Sequence, residues 1–358
     1  MQINSSGYSF VSMYQSYPSY HGASDISYNL FNNWPSDKKI LFQITNSNLK
    51  KRKIVNIKKK NNLLGILFNF FLIIFKIKKF QKKYKKKYLI IEGASWAGYI
   101  FVFIILSKIM IKNIIVIYHA HNLEYEVRKL KNNYFISYLT FYFEKFIYQN
   151  TLATSVSNKD TKFIKKYYKS IPVLFENGII KTKQEKILHK EIKKNKFILF
   201  CGSYTYWPNK MAISKIIKNK EQIKKIFPKI KFVFTGEGFP NFADKNILNL
   251  GIIKKTKLVW LIKNCLFFYA PMPRAPGTKI KIIEALYYGA NTVCSKYAIV
   301  GIRKIKKLKS LYVNSESKLI ENLIKIKNRK KYKVSKDFKD NYNFKNKINF
   351  FYERINKL

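Results

Sequence analysis

Residues 271–295, PMPRAPGTKIKIIEALYYGANTVCS, decide how the chain is read. The apolar run at 266–269 predicts a strand, and a loop rich in Ala and Pro follows it. Gly277 and Thr278 then open a segment, 280–288, with the pattern of a helix. Residues 292–295 predict the next strand. Strand, loop, helix and strand together make the repeating unit of a parallel α/β sheet. A helix start offers unpaired backbone N–H groups and the positive end of the peptide dipole, which suits a diphosphate. Lys279 and Lys281 add positive charge near that start, and Glu284, about one turn in, is placed to accept hydrogen bonds from ribose hydroxyls. On this pattern alone the glycine reads more readily as structural than as an anion site.

The same rhythm extends outward. Upstream, 197–200 predicts a strand, 211–226 a helix, 231–234 a strand ending at Gly236-Glu237-Gly238, and 257–263 a helix. In the first half, 39–44, 114–118, 152–156 and 173–175 predict strands. Residues 96–110, 134–148 and 160–168 predict helices between them. A polar segment, 181–196, reads as an interdomain linker. The expected architecture is α/β: two Rossmann-like domains, 1–185 and 186–330, facing each other across a cleft, then a basic helical tail at 331–358.

The motifs, taken in order, resemble family-4 (group 1) glycosyltransferases of the GT-B fold. The pattern Gly277-x-x-x-Lys281-x-x-Glu284-Ala285, followed by Gly289 and a strand, is similar to that family's donor-site signature. Phe200-Cys201-Gly202-Ser203 and Tyr206-Trp207-Pro208-Asn209 resemble the opening of its C-terminal domain, and Thr235-Gly236-Glu237-Gly238 its next strand-end turn. Upstream, His121-Asn122-Leu123-Glu124 resembles its HN-x-E segment, Ser157-Asn158-Lys159-Asp160 its S-x-x-D turn, and Asn177-Gly178 its strand-end NG. Residues 17–22, Tyr-Pro-Ser-Tyr-His-Gly, resemble the strand-loop near the acceptor. The resemblance implies retaining transfer of a sugar from a nucleotide-sugar donor, with no metal and no other cofactor. It implies that the N-terminal domain holds the acceptor, with His21 and Gly22 near it, and that His121 is the catalytic-site residue facing the transferred sugar. It implies a donor site of Gly202, Ser203, Lys210, Gly277, Thr278, Lys279, Lys281 and Glu284. Departures fall at Pro276, where many members carry an acid, at Ser203, where many carry Arg, and at Asn291, where Pro is usual. They put the donor sugar in question and leave an inactive homologue as an alternative.

Composition bounds the partners. Lys and Arg number 70 against 19 acids, a formal net charge of +51, so the surface attracts anions: nucleic acid, phosphorylated ligands or an anionic membrane. A nucleic-acid-binding protein is the competing class, but the aromatics fall inside apolar helix and strand patterns and no DNA- or RNA-binding motif appears, so nucleic acid is not the expected partner. Between Lys-dense stretches at 50–60 and 76–87 lies LLGILFNFFLIIF, residues 63–75. That run is short of the roughly 20 residues a spanning helix needs. It reads either as a buried helix or as one lying in the interface of an anionic membrane. The second reading predicts peripheral attachment at the cytoplasmic face and a lipid-linked or glycan acceptor. Three separated cysteines, Cys201, Cys265 and Cys294, show neither metal spacing nor a disulfide framework and fit a reducing cytosol, and the start MQINSSGYSFVSMY lacks a secretory pattern. His119 and His121 form a pair with no third ligand near in sequence, so zinc is not expected.

Overall fold

The computed structural model describes residues 5–19, 22–130, 134–186, 192, 196–305, 308–315, 318–326 and 332–357. The chain forms two compact units: Met1–Ser19, Ala23–Glu176 and Ile348–Leu358 make the first, Tyr20–Gly22 and Asn177–Lys347 the second.

In chain order the first half runs β1 (Ser6–Ser12), α1 (Gly22–Asn32), β2 (Lys39–Thr45), β3 (Ile54–Lys58), α2 (Leu63–Gln81) and β4 (Lys86–Gly93). It continues with α3 (Ala97–Met110), β5 (Ile114–Ala120), α4 (Glu124–Leu130), α5 (Tyr134–Asn150), β6 (Leu152–Ser155), α6 (Asn158–Phe163), a π-helical turn (Ile164–Tyr168) and β7 (Val173–Leu174). These strands form one parallel sheet in the order β3-β2-β1-β4-β5-β6-β7. A parallel sheet covered on both faces needs strands that are apolar on both sides, which Tyr88-Leu89-Ile90-Ile91 and Ile114–Tyr118 supply without alternation. Leu89, Ile90, Ile91 and Tyr118 are fully buried. Strand β4 escaped the sequence reading, because its first residues continue the lysine run at 76–87.

Helix α2 resolves the two readings of 63–75 into two faces. Asn62 caps it, its side chain accepting from the Gly65 N–H at 3.0 Å. Phe70, Ile73, Ile74 and Ile77 recur at helical spacing and enter the core. Each such burial stabilises by about 1.5–3 kcal/mol. Leu63, Leu64, Phe68, Phe71 and Phe75 stay exposed on α2. Among the described residues no helix is long and apolar enough to cross a membrane.

The second half runs β8 (Phe197–Cys201), α7 (Trp207–Lys218), α8 (Lys220–Ile226), β9 (Lys231–Thr235), β10 (Ile247–Asn249), α9 (Lys255–Asn264) and β11 (Phe267–Ala270). Then come α10 (Ile280–Tyr287), β12 (Thr292–Ser295), β13 (Leu311–Asn314), α11 (Leu319–Ile326), α12 (Lys336–Asn341) and α13 (Phe344–Asn356). Its sheet is also parallel, in the order β10-β9-β8-β11-β12-β13. The single helix expected at 211–226 is two. It starts earlier, with Pro208 in its first turn, and breaks at Asn219, whose φ −89°, ψ 3° leaves the helical region.

The units divide at 176/177, ahead of the 185/186 expected from composition. The N–H of Ile179 donates to Tyr342 O at 2.7 Å, which ties the start of the intervening segment into the second unit. Of the linker expected at 181–196, residues 187–191 and 193–195 lie outside the described residues. The tail expected at 331–358 is helical in α12 and α13, but it is not a separate element. Phe338 and Tyr342 are buried in the second unit, while Phe351 and Ile355 of α13 are buried in the first. There the Tyr8 hydroxyl donates to Asn356 Oδ1 at 2.6 Å and the Tyr88 hydroxyl to Ile355 O at 3.2 Å.

Candidate active site

In open parallel sheets ligands gather at the carboxyl ends of strands, beside the point where strand order reverses. In the first unit that point lies between β1 and β4; in the second it lies between β8 and β11. Each unit carries a polar cluster at or next to this position, and each is described on its own.

In the first unit, parallel pairing sets Glu92, near the end of β4, directly beside His119 of β5. Partners in register share a face of the sheet, so both side chains project the same way. His121 follows β5 immediately. Glu92 Oε2 accepts from His119 Nδ1 at 2.9 Å, from His121 Nε2 at 2.8 Å and from Ser27 Oγ of α1 at 2.7 Å. All four side chains are buried. Burial opposes the Glu92 charge, but the two imidazoles outweigh it and hold the carboxyl well below the usual carboxylate range. Burial also lowers the pKa of His121, against the attraction of Glu92. A carboxylate can only accept, so His119 carries its proton on Nδ1 and His121 on Nε2.

Sequence reasoning singled out His121 and missed Glu92 and Ser27. The available signal was the run Tyr88–Ile91 closed by Glu92-Gly93, a strand end hidden behind lysines. The histidine pair does have a third neighbour, brought from another strand: one ligand atom each of Glu92, His119 and His121 lie within 4.8 Å of one another. By distance this group could hold a metal ion. As placed, the three meet as hydrogen-bond partners, with Glu92 Oε2 accepting from both rings. His21 lies outside the described residues. Gly22 opens α1 at an exposed position where a side chain would meet nothing within 4 Å, so no steric demand selects glycine there.

In the second unit the loop after β8 and the start of α10 come together. Gly202 has φ +142°, and a Cβ there would lie 2.5 Å from Lys281 Nζ and 2.6 Å from Asn209 Nδ2, so only glycine fits. Lys281 Nζ donates to Asn209 Oδ1 at 2.6 Å and sits 4.3 Å from the Phe200 ring centroid. Burial lowers its pKa to about 8. Asn209 Nδ2 in turn donates to Ser203 O at 2.8 Å. Gly202, Ser203 and Lys281 thus form one cluster, with Asn209 as the member sequence reasoning left unassigned. Lys210 does not join these contacts; it is exposed and its ammonium lies 5.7 Å from the Tyr204 ring centroid.

Gly277 has φ +75° and Thr278 Oγ1 is buried without a hydrogen-bond partner just before α10. Lys279 Nζ donates to the carbonyls of Ala275, Pro276 and Gly277 at 2.6, 3.1 and 2.6 Å, so its side-chain charge fastens the loop. Glu284 is 3% exposed and its Oε1 lies 2.7 Å from Lys255 Nζ, a partner at the start of α9 that the sequence did not suggest. A buried carboxylate, lysines beside it and a helix start are groups whose chemistry suits phosphate and hydroxyl alike.

No family model matches the chain, and no curated protein matches it by sequence. Solved structures do. HepE of Anabaena, in complex with UDP and glucose, superposes with a TM-score of 0.70 at 10% identity, covering 98% of this chain and 100% of that one. WaaG, a glycosyltransferase involved in lipopolysaccharide biosynthesis, gives 0.64 at 12% identity, covering 97% and 95%. A trehalose-6-phosphate synthase, studied for glycosyl transfer with retention, gives 0.65 at 9% identity, covering 98% and 99%. With two parallel α/β sheets, the chain has the GT-B glycosyltransferase fold.

Proposed function

We propose that the protein is a retaining glycosyltransferase that moves a sugar from a nucleotide-sugar donor to an acceptor. The observation that carries the reading is the second-unit cluster. Glu284, Lys281, Asn209 and the loop before α10 converge at the carboxyl ends of β8 and β11. The end-to-end likeness to HepE, which binds UDP and glucose, supports it. In this reading Glu284 accepts hydrogen bonds from the ribose. Gly277, Thr278 and Lys279 present backbone N–H groups to the diphosphate. Lys281, Gly202 and Ser203 complete the donor site, with Lys210 a weaker contributor. His121 faces the transferred sugar, held by Glu92, and His21 and Gly22 lie toward the acceptor.

The chemistry is a front-face displacement. The bond from the anomeric carbon to the diphosphate oxygen breaks as the acceptor oxygen bonds to the same face of that carbon. The acceptor's proton passes to the departing phosphate oxygen. Positive charge and oriented N–H groups stabilise the charge developing on the diphosphate, so a metal is not required of the protein. The neighbour studied for transfer with retention supports the stereochemistry. The likeness to WaaG supports a surface glycan or lipid-linked acceptor. The exposed apolar face of α2, beside exposed Lys76, Lys78, Lys79, Lys82 and Lys83, supports peripheral attachment to an anionic membrane at the cytoplasmic face.

Calorimetry with UDP, GDP and their sugars tests the donor site. One nucleoside diphosphate should bind selectively, and Glu284→Ala should weaken it by roughly 10- to 100-fold, the worth of hydrogen bonds to a charged group. Undiminished binding removes Glu284 from the site. If no nucleotide binds while oligonucleotides do in a salt-sensitive way, the transferase reading gives way to nucleic-acid binding.

A further inference from the structure

Nothing in the proposed transfer uses the carboxylate of Glu144, yet this side chain of α5 is 0% exposed. Its Oε1 accepts the N–H of Glu124 at 2.8 Å. Its Oε2 accepts the N–H of Tyr125 at 2.9 Å and the Tyr168 hydroxyl at 2.8 Å. Glu124 and Tyr125 begin α4, so these are among the N–H groups a helix leaves without an internal acceptor. The residue before the helix is Leu123, which has no side-chain acceptor to cap with. A carboxylate from a different helix supplies the cap. The turn it fixes, 121–123, is the one that carries His121 to Glu92.

We infer that Glu144 is a positioning residue: by pinning the start of α4 it holds the His121 imidazole in place. The inference rests on His121 serving the transferred sugar. Burial pushes the Glu144 carboxyl up to about 7, against the N–H groups of Tyr125 and Glu124 and the Tyr168 hydroxyl. The groups facing it are Glu124 on α4, which pairs with Arg128 at 2.6 Å, Tyr118 on β5, Tyr148 on α5 and Tyr168 in the π-helical turn. All three tyrosines are pushed well above their usual range and remain neutral. The two N–H donors favour the ionised carboxylate, so by linkage ionisation tightens the pin as pH rises through about 7. Burial acts oppositely on the whole fold: the raised pKa means the ionised group costs stability, which falls as pH rises from about 4.5 to about 7.

Hydrogen exchange of the full chain, corrected for intrinsic rates, tests the pin. The Glu124 and Tyr125 amides should exchange more slowly at pH 8 than at pH 6. In Glu144→Gln they should speed up about tenfold and lose that pH dependence, with peptides of β8 and β9 unchanged. The ring nitrogen signals of His121 should move in the same variant. Transfer kcat should fall about tenfold at unchanged nucleotide affinity. Tyr168→Phe keeps the carboxylate and should raise the pH at which the two amides become protected. Unchanged exchange in Glu144→Gln overturns the inference, and so do faster amides with an unmoved His121 signal. If the parent chain transfers no sugar from any donor, the functional reading fails while exchange and ring signals still decide the pin.

Discussion

The polar clusters of the two units are built in opposite ways. In the first, a single acid gathers three donors from β5, the turn after it and α1, all of them buried. In the second, cations and loop glycines dominate: Lys281 lies against Asn209, Lys279 fastens its own loop, and Lys255 pairs with Glu284. The first cluster spends its polar groups on one another and so fixes orientation. The second gathers lysines and a carboxylate around a helix start, whose first N–H groups have no acceptor within the helix. Orientation and binding are therefore separable, and substitutions should separate them.

The largest effect is expected at Glu92. Glu92→Leu leaves two buried imidazoles without their acceptor and should destabilise the first unit by about 3–5 kcal/mol, measured by urea denaturation. The pH sign follows from the depressed pKa of Glu92. Its contribution is fully present above its ordinary value of 4.5 and is lost as pH falls below that, so parent and Glu92→Gln should converge in acid. A constant gap between them down to pH 3 would show that the charge is not what holds the cluster.

Next comes membrane attachment. Reversing Lys76, Lys78, Lys79, Lys82 and Lys83 to Glu should lower partitioning onto vesicles rich in phosphatidylserine by at least 100-fold, at roughly 1 kcal/mol per lysine. Equal co-sedimentation of parent and variant would count against the basic face. A smaller effect is expected at Lys281. Lys281→Met should weaken nucleoside diphosphate binding about tenfold at pH 7. Because its pKa is lowered to about 8, the parent's advantage should fade as pH rises through that value. A variant as tight as the parent at pH 7 would break the contrast between a binding cluster and an orienting one. Smallest of all, Lys210→Ala should change affinity less than twofold, since that ammonium is exposed and lies over Tyr204.

The same contrast explains what the sequence revealed. The second-unit site lies mostly within residues 277–284, where strand, loop and helix start are contiguous, so its motif could be read directly. Ser27, Glu92, His119 and His121 come from separate elements and meet only through sheet register. Glu92 also sits at the end of a strand whose first residues extend a lysine run, which hid the periodicity. Lys255, and the role of Asn209 within its motif, went unread for a related reason: a lysine beside a buried acid and an asparagine bonded under a glycine loop are contacts of packing. The alternation of strands and helices, by contrast, was legible through most of the second half and from 96 to 175 in the first. Exceptions in the first half were β1, α1, β3, β4 and α4, and in the second the short strands β10 and β13 and the break at Asn219, where local backbone geometry overrode composition.

Helix α13 has a consequence for how the protein is made. The core of the first unit includes Phe351 and Ile355, and Tyr8, Trp34 and Phe175 meet aromatics of that helix in tilted or edge-on pairs. A ribosome releases the chain from its beginning at about 5–20 residues per second, so some 180 further residues, roughly 10–40 s of synthesis, separate Glu176 from α13. The first unit is completed only after residues 177–347 of the second have been made. Until then the apolar side chains that Phe351 and Ile355 cover in the finished unit lack that cover.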